Sequence, residues 1–188
     1  ELVQNLPTWI ERFRKNGYRS GPSLFFYQKM MEQRRGETLD KLLCKNGIFI
    51  ERIYATLTSW DMNNRGAKMK DFVEFESNLL TNKTLISDQA LSEFSIDNIT
   101  DDRIHIIKEK LGELYGSLHL MKSGGRLVSN SKVLHYLLPD LVMPMDGKNT
   151  LNYFYRNTGE SKAKFLEVFS ASREIAKRRG DLRTFLDR

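Results

Sequence analysis

The 188-residue chain has little cysteine and little proline, and both shortages restrict what it can be. Its one cysteine, Cys44, excludes an internal disulfide and any metal site built on paired thiolates. Because Cys44 lies beside Leu43, we expect it to be a small buried hydrophobe. Four prolines, with 40% hydrophobic and 29% charged residues, exclude a collagen-like chain and a disordered one. The composition favours an ordinary globular domain.

Long apolar runs are also missing. No stretch approaches the roughly 18 consecutive apolar residues of a membrane span. The opening residues, Glu1-Leu2-Val3-Gln4, lack the charged and apolar regions of a signal peptide. With only one cysteine, a reducing compartment is the simplest expectation. We therefore expect a cytoplasmic protein with no membrane partner.

Positive charge is in excess, with 30 lysine and arginine residues against 24 acidic ones, a net charge of +6. A basic surface attracts polyanions, and nucleic acid is the commonest polyanion inside a cell. The alternative is that the charge serves solubility alone.

Glycine, proline and asparagine divide the chain into about eight helical segments, and no alternating strand pattern is present. The expected fold is all-α, a single orthogonal helical domain covering residues 1–188. The longer predicted helices span 7–16, 24–35, 48–60, 69–80, 100–120, 130–138 and 160–179. The pair on either side of residue 125 predicts a helix-hairpin-helix-like element between Leu118 and Leu138.

The break inside that element carries the most functional information. Two adjacent glycines permit positive φ and close approach of the backbone, and exposed amides next to a helix N-terminus suit a phosphate. We therefore predict contacts to the DNA backbone here, with the alternative that the glycines only make the corner of an αα-hairpin. The predicted DNA-binding residues are Lys122, Ser123, Gly124, Gly125, Arg126, Ser129 and Asn130.

The same segment then places Lys132 on a helix, an apolar stretch through Leu138, and Pro144-Met145-Asp146 before a further helix. This arrangement, from residue 123 to residue 154, resembles the C-terminal half of the helix-hairpin-helix DNA glycosylases. The resemblance implies that Lys132 attacks C1′ of an extruded nucleotide and that Asp146 supports the nucleophile and the developing sugar cation. It also implies double-stranded DNA, damaged DNA included, as the partner. No cofactor is expected, since a cysteine cluster for an iron–sulfur centre is absent.

A second resemblance joins residues 54–60, 127–132 and 137–141. These segments look like a group of conserved hypothetical prokaryotic proteins with no known activity. The runner-up function is accordingly a non-catalytic helical module that binds nucleic acid or a protein partner.

Each candidate residue also has a structural interpretation. Lys132 could be a solvated surface lysine, and Asp146 could be a helix N-cap. His135, three residues after Lys132, could assist proton transfer or be a buried structural histidine. Tyr153 and Phe154 could line a pocket and stack on a base, or divide between core and rim. No metal site is predicted, because His105 and His119 are too far apart to share an ion.

Overall fold

The computed structural model describes residues 22–63 and 68–177, together with isolated positions 5, 8, 11, 12 and 15 near the start of the chain. Of the described residues, 66% are helical and none lies in a strand, which confirms the all-α class. The predicted helix at 7–16 falls mainly outside the described residues.

Ten α-helices and one π-helical turn make up the described part, slightly more than the eight expected. They are α1 (Pro22–Gly36), α2 (Leu39–Leu42), α3 (Ile48–Ser59), α4 (Phe72–Thr81), α5 (Lys83–Ile86), α6 (Gln89–Ser92), α7 (Ile104–Ser117), α8 (Leu127–Leu137), π1 (Gly147–Leu151), α9 (Asn152–Tyr155) and α10 (Lys162–Lys177).

Helix α8 is the centre of the molecule. Nine of its eleven residues are buried, and it contacts both α1 and α10. The buried residues include the polar side chains of Ser129, Asn130, Ser131 and Lys132. Because a buried polar group without a partner is costly, each must find one within the fold.

The connection between α7 and α8 lies about three residues earlier in the chain than predicted. Helix α7 ends at Ser117 and α8 begins at Leu127, whereas the sequence predicted an end near residue 120 and a start near residue 130. Met121 in this connection forms an isolated antiparallel bridge with Met69. Beside it, the Lys122 amide donates to the Lys68 carbonyl over 2.7 Å. The hairpin-like element is thus two helices joined by residues 118–126, which are tied to residues 68–70 just before α4.

The expectation for Cys44 is wrong, because this side chain is exposed. It lies in the turn between α2 and α3, while the neighbouring Leu42 and Leu43 fill the core. Gly47 closes the turn, and a Cβ at that position would lie only 2.7 Å from the Cys44 carbonyl oxygen.

None of the helices among the described residues is long and apolar enough to cross a bilayer.

Candidate nucleic-acid interface

Lys132 lies on the inward side of α8, and its residue exposure is only 7%. Its Nζ lies 5.2 Å from the centre of the Trp60 ring and 3.9 Å from Met62 Sδ. A solvated surface lysine is therefore the wrong interpretation of this residue. The indole face stabilises a positive charge held above it.

The end of α3 presents Trp60 and Met62 to Lys132. Asp61 adopts a left-handed conformation with φ of 62°, so the chain reverses directly after Trp60. The Met62 amide then donates to the Leu57 carbonyl and the Asp61 amide to the Thr58 carbonyl. These two bonds form a Schellman motif, which fixes Met62 against the core.

His135 is held by two hydrogen bonds. One ring nitrogen, Nδ1, lies 2.8 Å from the Val142 carbonyl oxygen, which can only accept, so Nδ1 carries the proton. In the neutral ring Nε2 is then an acceptor, and the Tyr27 hydroxyl donates to it over 3.0 Å. Burial lowers the pKa of His135, against smaller opposing effects of the Val142 carbonyl and Asp140. These contacts support the structural interpretation of the histidine.

Asp146 is the N-cap of π1. Its carboxylate accepts from the amides of Lys148 and Asn149 over 2.8 and 3.0 Å, while its own amide donates to the Thr150 hydroxyl. The capping interpretation of Asp146 is thus the one that the structure favours. Lys132 contacts Trp60 and Met62 after α3, whereas Asp146 bonds to the amides of π1. The residues just before them are joined, because the Met145 amide donates to the Ser131 hydroxyl.

Two of the predicted DNA contacts instead complete the C-terminus of α7. The last four carbonyls of a helix have no partner within it. Here Asn130 Nδ2 donates to the Tyr115 and Leu118 carbonyls, Arg126 donates to that of Gly116, and Asn82 donates to that of Ser117.

The prediction that Ser129 and Asn130 contact DNA is therefore not supported. Asn130 is 0% exposed and Ser129 is 2% exposed. The Ser129 hydroxyl donates within the helix to the Arg126 carbonyl over 3.1 Å. Neither side chain can reach a phosphate without opening the core.

The N-terminus of α8 already holds an anion. The Glu160 carboxylate accepts from the Leu127 amide over 2.6 Å, and a Cβ on Gly125 would lie 3.5 Å from the same carboxylate. A phosphate at this terminus would have to displace Glu160. The phosphate site predicted here is thus filled by the chain itself, and neither Gly124 nor Gly125 has positive φ. Lys122, Ser123 and Gly124 are exposed.

Tyr153 and Phe154 point outward from α9. They are 55% and 40% exposed, and their rings meet edge to face with centres 5.3 Å apart and planes at 83°. Large aromatic side chains are usually buried, so two adjacent exposed rings point to an interaction site. Of the residues predicted to line a pocket, these two remain accessible to a ligand.

The loop of residues 156–161 joins this aromatic pair to the α7–α8 connection, a neighbourhood that the sequence did not reveal. Glu160 reaches the start of α8, and Thr158 lies against Gly147, where a Cβ would be 3.8 Å away. The start of α8 and the start of π1 therefore both border the loop of residues 156–161. We call the surface formed by π1, α9 and residues 156–161 the loop face, and its exposed cations are Lys148 and Arg156.

In the described ranges, no group of three or more histidine, cysteine, aspartate or glutamate side chains is placed to hold a metal ion. Comparison of the chain with protein-family models, with curated proteins and with solved structures finds no match. The resemblance to the helix-hairpin-helix glycosylases stays a prediction.

Proposed function

We propose that this protein binds DNA through the loop face. The observation that carries the proposal is the combination, on one surface, of exposed cations with the exposed pair Tyr153 and Phe154. Cations set affinity for the phosphate backbone, and aromatic rings contact bases.

The carboxylates that border the loop face support this proposal. Asp146 accepts from two backbone amides of π1, and Glu160 accepts from the Leu127 amide. Because these amides carry partial positive charge at helix N-termini, they offset much of the negative charge of both carboxylates. A phosphate approaching the face would therefore meet Lys148 and Arg156 beside carboxylates that are already hydrogen-bonded, Glu167 among them.

The test is a binding titration with fluorescently labelled DNA at several salt concentrations. The double variant Lys148→Gln/Arg156→Gln should weaken binding and reduce the slope of log affinity against log salt by about one for each lost phosphate contact. The matched control is Lys41→Gln/Lys45→Gln, which removes the same charge from exposed positions in and after α2. Equal losses in both variants would show that net charge, and not this face, attracts DNA.

A second candidate function is the Schiff-base lyase chemistry implied by the glycosylase resemblance. The burial of Lys132, which is 7% exposed, supplies the desolvated site that a lysine nucleophile needs. The Trp60 ring under its Nζ acts in the opposite direction, because it stabilises the protonated amine. Asp146 offers little support, because its carboxylate is engaged in capping π1.

Borohydride trapping on DNA with an abasic site tests the lyase candidate. A covalent adduct that disappears in Lys132→Ala and persists in Lys122→Ala would establish the nucleophile. If the wild-type protein forms no adduct, the lyase candidate is rejected and DNA binding is unaffected.

A further inference from the structure

We infer that the ligand of the loop face is single-stranded DNA, whose unpaired bases stack on Tyr153 and Phe154. This inference rests on the proposed DNA binding and names the form of DNA. It departs from the double-stranded partner that the glycosylase resemblance implied.

The residues on either side of the two rings are held in the fold. Leu151, directly before α9, is fully buried, and the next ring, Tyr155, is clamped from two sides. The Tyr155 hydroxyl donates to Glu167 over 2.7 Å, and Lys164 Nζ lies 4.9 Å from the centre of the ring. The backbone that carries the exposed pair is therefore held on both sides, which lowers the entropy cost of binding.

The angle between the two rings favours unpaired bases. At 83° their faces point in perpendicular directions, so one flat base cannot lie on both. Two bases could do so if the strand between them bends, which unpaired DNA allows. A duplex keeps its bases stacked on each other and offers only their edges in the grooves. Ring faces can be used fully only by bases that are not paired.

Exposed cations lie before and after the aromatic pair in the chain. Lys148 precedes Tyr153 by five positions and Arg156 follows Phe154 by two, and both side chains are exposed. Cations thus precede and follow the aromatic pair along the chain, an order that suits a strand in which bases and phosphates alternate. Arg156 also has left-handed φ of 55°, so the chain turns directly after the aromatic pair.

The experiment compares three labelled DNAs of equal length: oligothymidine, its duplex with oligoadenine, and an oligothymidine with a central run of abasic sites. The abasic strand keeps every phosphate and loses only bases. We expect oligothymidine to bind at least tenfold tighter than either of the other two. Stacking accounts for an effect on the order of tenfold per ring.

The variant Tyr153→Leu/Phe154→Leu keeps apolar side chains but removes both rings. It should bind oligothymidine as weakly as the wild-type protein binds the abasic strand, with an unchanged melting temperature. Phe25→Leu is the matched control, because Phe25 is 56% exposed on α1, and it should bind normally.

The outcomes separate the two proposals. If duplex binds as tightly as oligothymidine, or if the leucine variant binds oligothymidine normally while the loss of Lys148 and Arg156 weakens it, DNA binding stands and the single-strand inference is wrong. A duplex preference that depends on the rings would also overturn the inference, since it would indicate insertion into a base step. If no DNA binds, both proposals fail.

Discussion

Replacing Asn130 tests whether the polar residues of α8 serve the fold or the ligand. Asn130 is fully buried and its amide supplies two donors to the C-terminal carbonyls of α7, over 3.1 and 3.0 Å. Asn130→Ala removes both bonds, each with a net value of about 1 kcal/mol, and leaves buried carbonyls without partners at a further cost. We expect a loss of about 2–4 kcal/mol in the free energy of unfolding.

For a chain of this length that loss corresponds to a fall in melting temperature of roughly 4–16 °C. Urea unfolding followed by tryptophan fluorescence measures the free energy directly. Asn130→Asp should be worse than alanine, because it keeps the shape and replaces the donor with a carboxylate facing two carbonyl oxygens. Ser129→Ala is the comparison variant. The Ser129 hydroxyl has one proton to share between the Arg126 carbonyl at 3.1 Å and Asn130 Oδ1 at 3.4 Å, so its loss should cost less than about 1 kcal/mol.

The capping argument fails if Asn130→Ala unfolds within about 0.5 kcal/mol of the wild-type protein, or if the aspartate variant is as stable as the alanine variant. DNA affinity of the folded Asn130→Ala protein should match that of the wild type. A selective loss of affinity without a loss of stability would restore the role in DNA contact that the sequence predicted for Asn130.

Three further predictions concern other positions. Gly47→Ala should destabilise the protein by about 1–3 kcal/mol, since its Cβ would lie 2.7 Å from the Cys44 carbonyl oxygen. Gly116→Ala, in α7, meets nothing within 4 Å and should raise the free energy of unfolding by about 0.5–1 kcal/mol. Thermal melts measure both changes. Because burial lowers the pKa of His135, the unfolded chain takes up its proton first, so stability should fall as pH drops below about 6.5, and His135→Gln should flatten that slope in urea titrations. Arg156→Gly should raise stability by about 1 kcal/mol by relieving left-handed strain, and Arg156→Ala should not; equal melting temperatures would contradict this.

Much of the helical architecture was predictable from the sequence, because it depends on local patterns. The predicted helix at 24–35 corresponds to α1, and the one at 48–60 corresponds to α3, each within two residues at either end. The segment 118–126 was not predictable, since its conformation depends on pairing with residues near Met69, about fifty positions away. Helical periodicity cannot show that Met121 will pair with Met69 instead of continuing helix α7.

The roles of individual polar residues were harder to predict for a related reason. Asn130 and Arg126 have side chains that can bind phosphate, but in the fold they donate to carbonyls at the C-terminus of α7. Glu160 gave no signal in the sequence, because its partner, the Leu127 amide, is 33 positions away. The exposed pair Tyr153 and Phe154 was predictable as a candidate, and only the structure shows that neither ring is in the core.

The bonds between α1 and α8 have a consequence for how the chain folds during synthesis. Tyr27 bonds to His135 across 108 positions, and Arg34 Nε bonds to the Leu137 carbonyl across 103. At translation rates of 5–20 residues per second, α1 waits about 5–20 s before its partner helix is made. During that interval its core side chains, Met30 among them, are not yet packed against α8. Refolding from denaturant, where both helices are present from the start, should therefore expose α1 to aggregation for less time than ribosomal synthesis does.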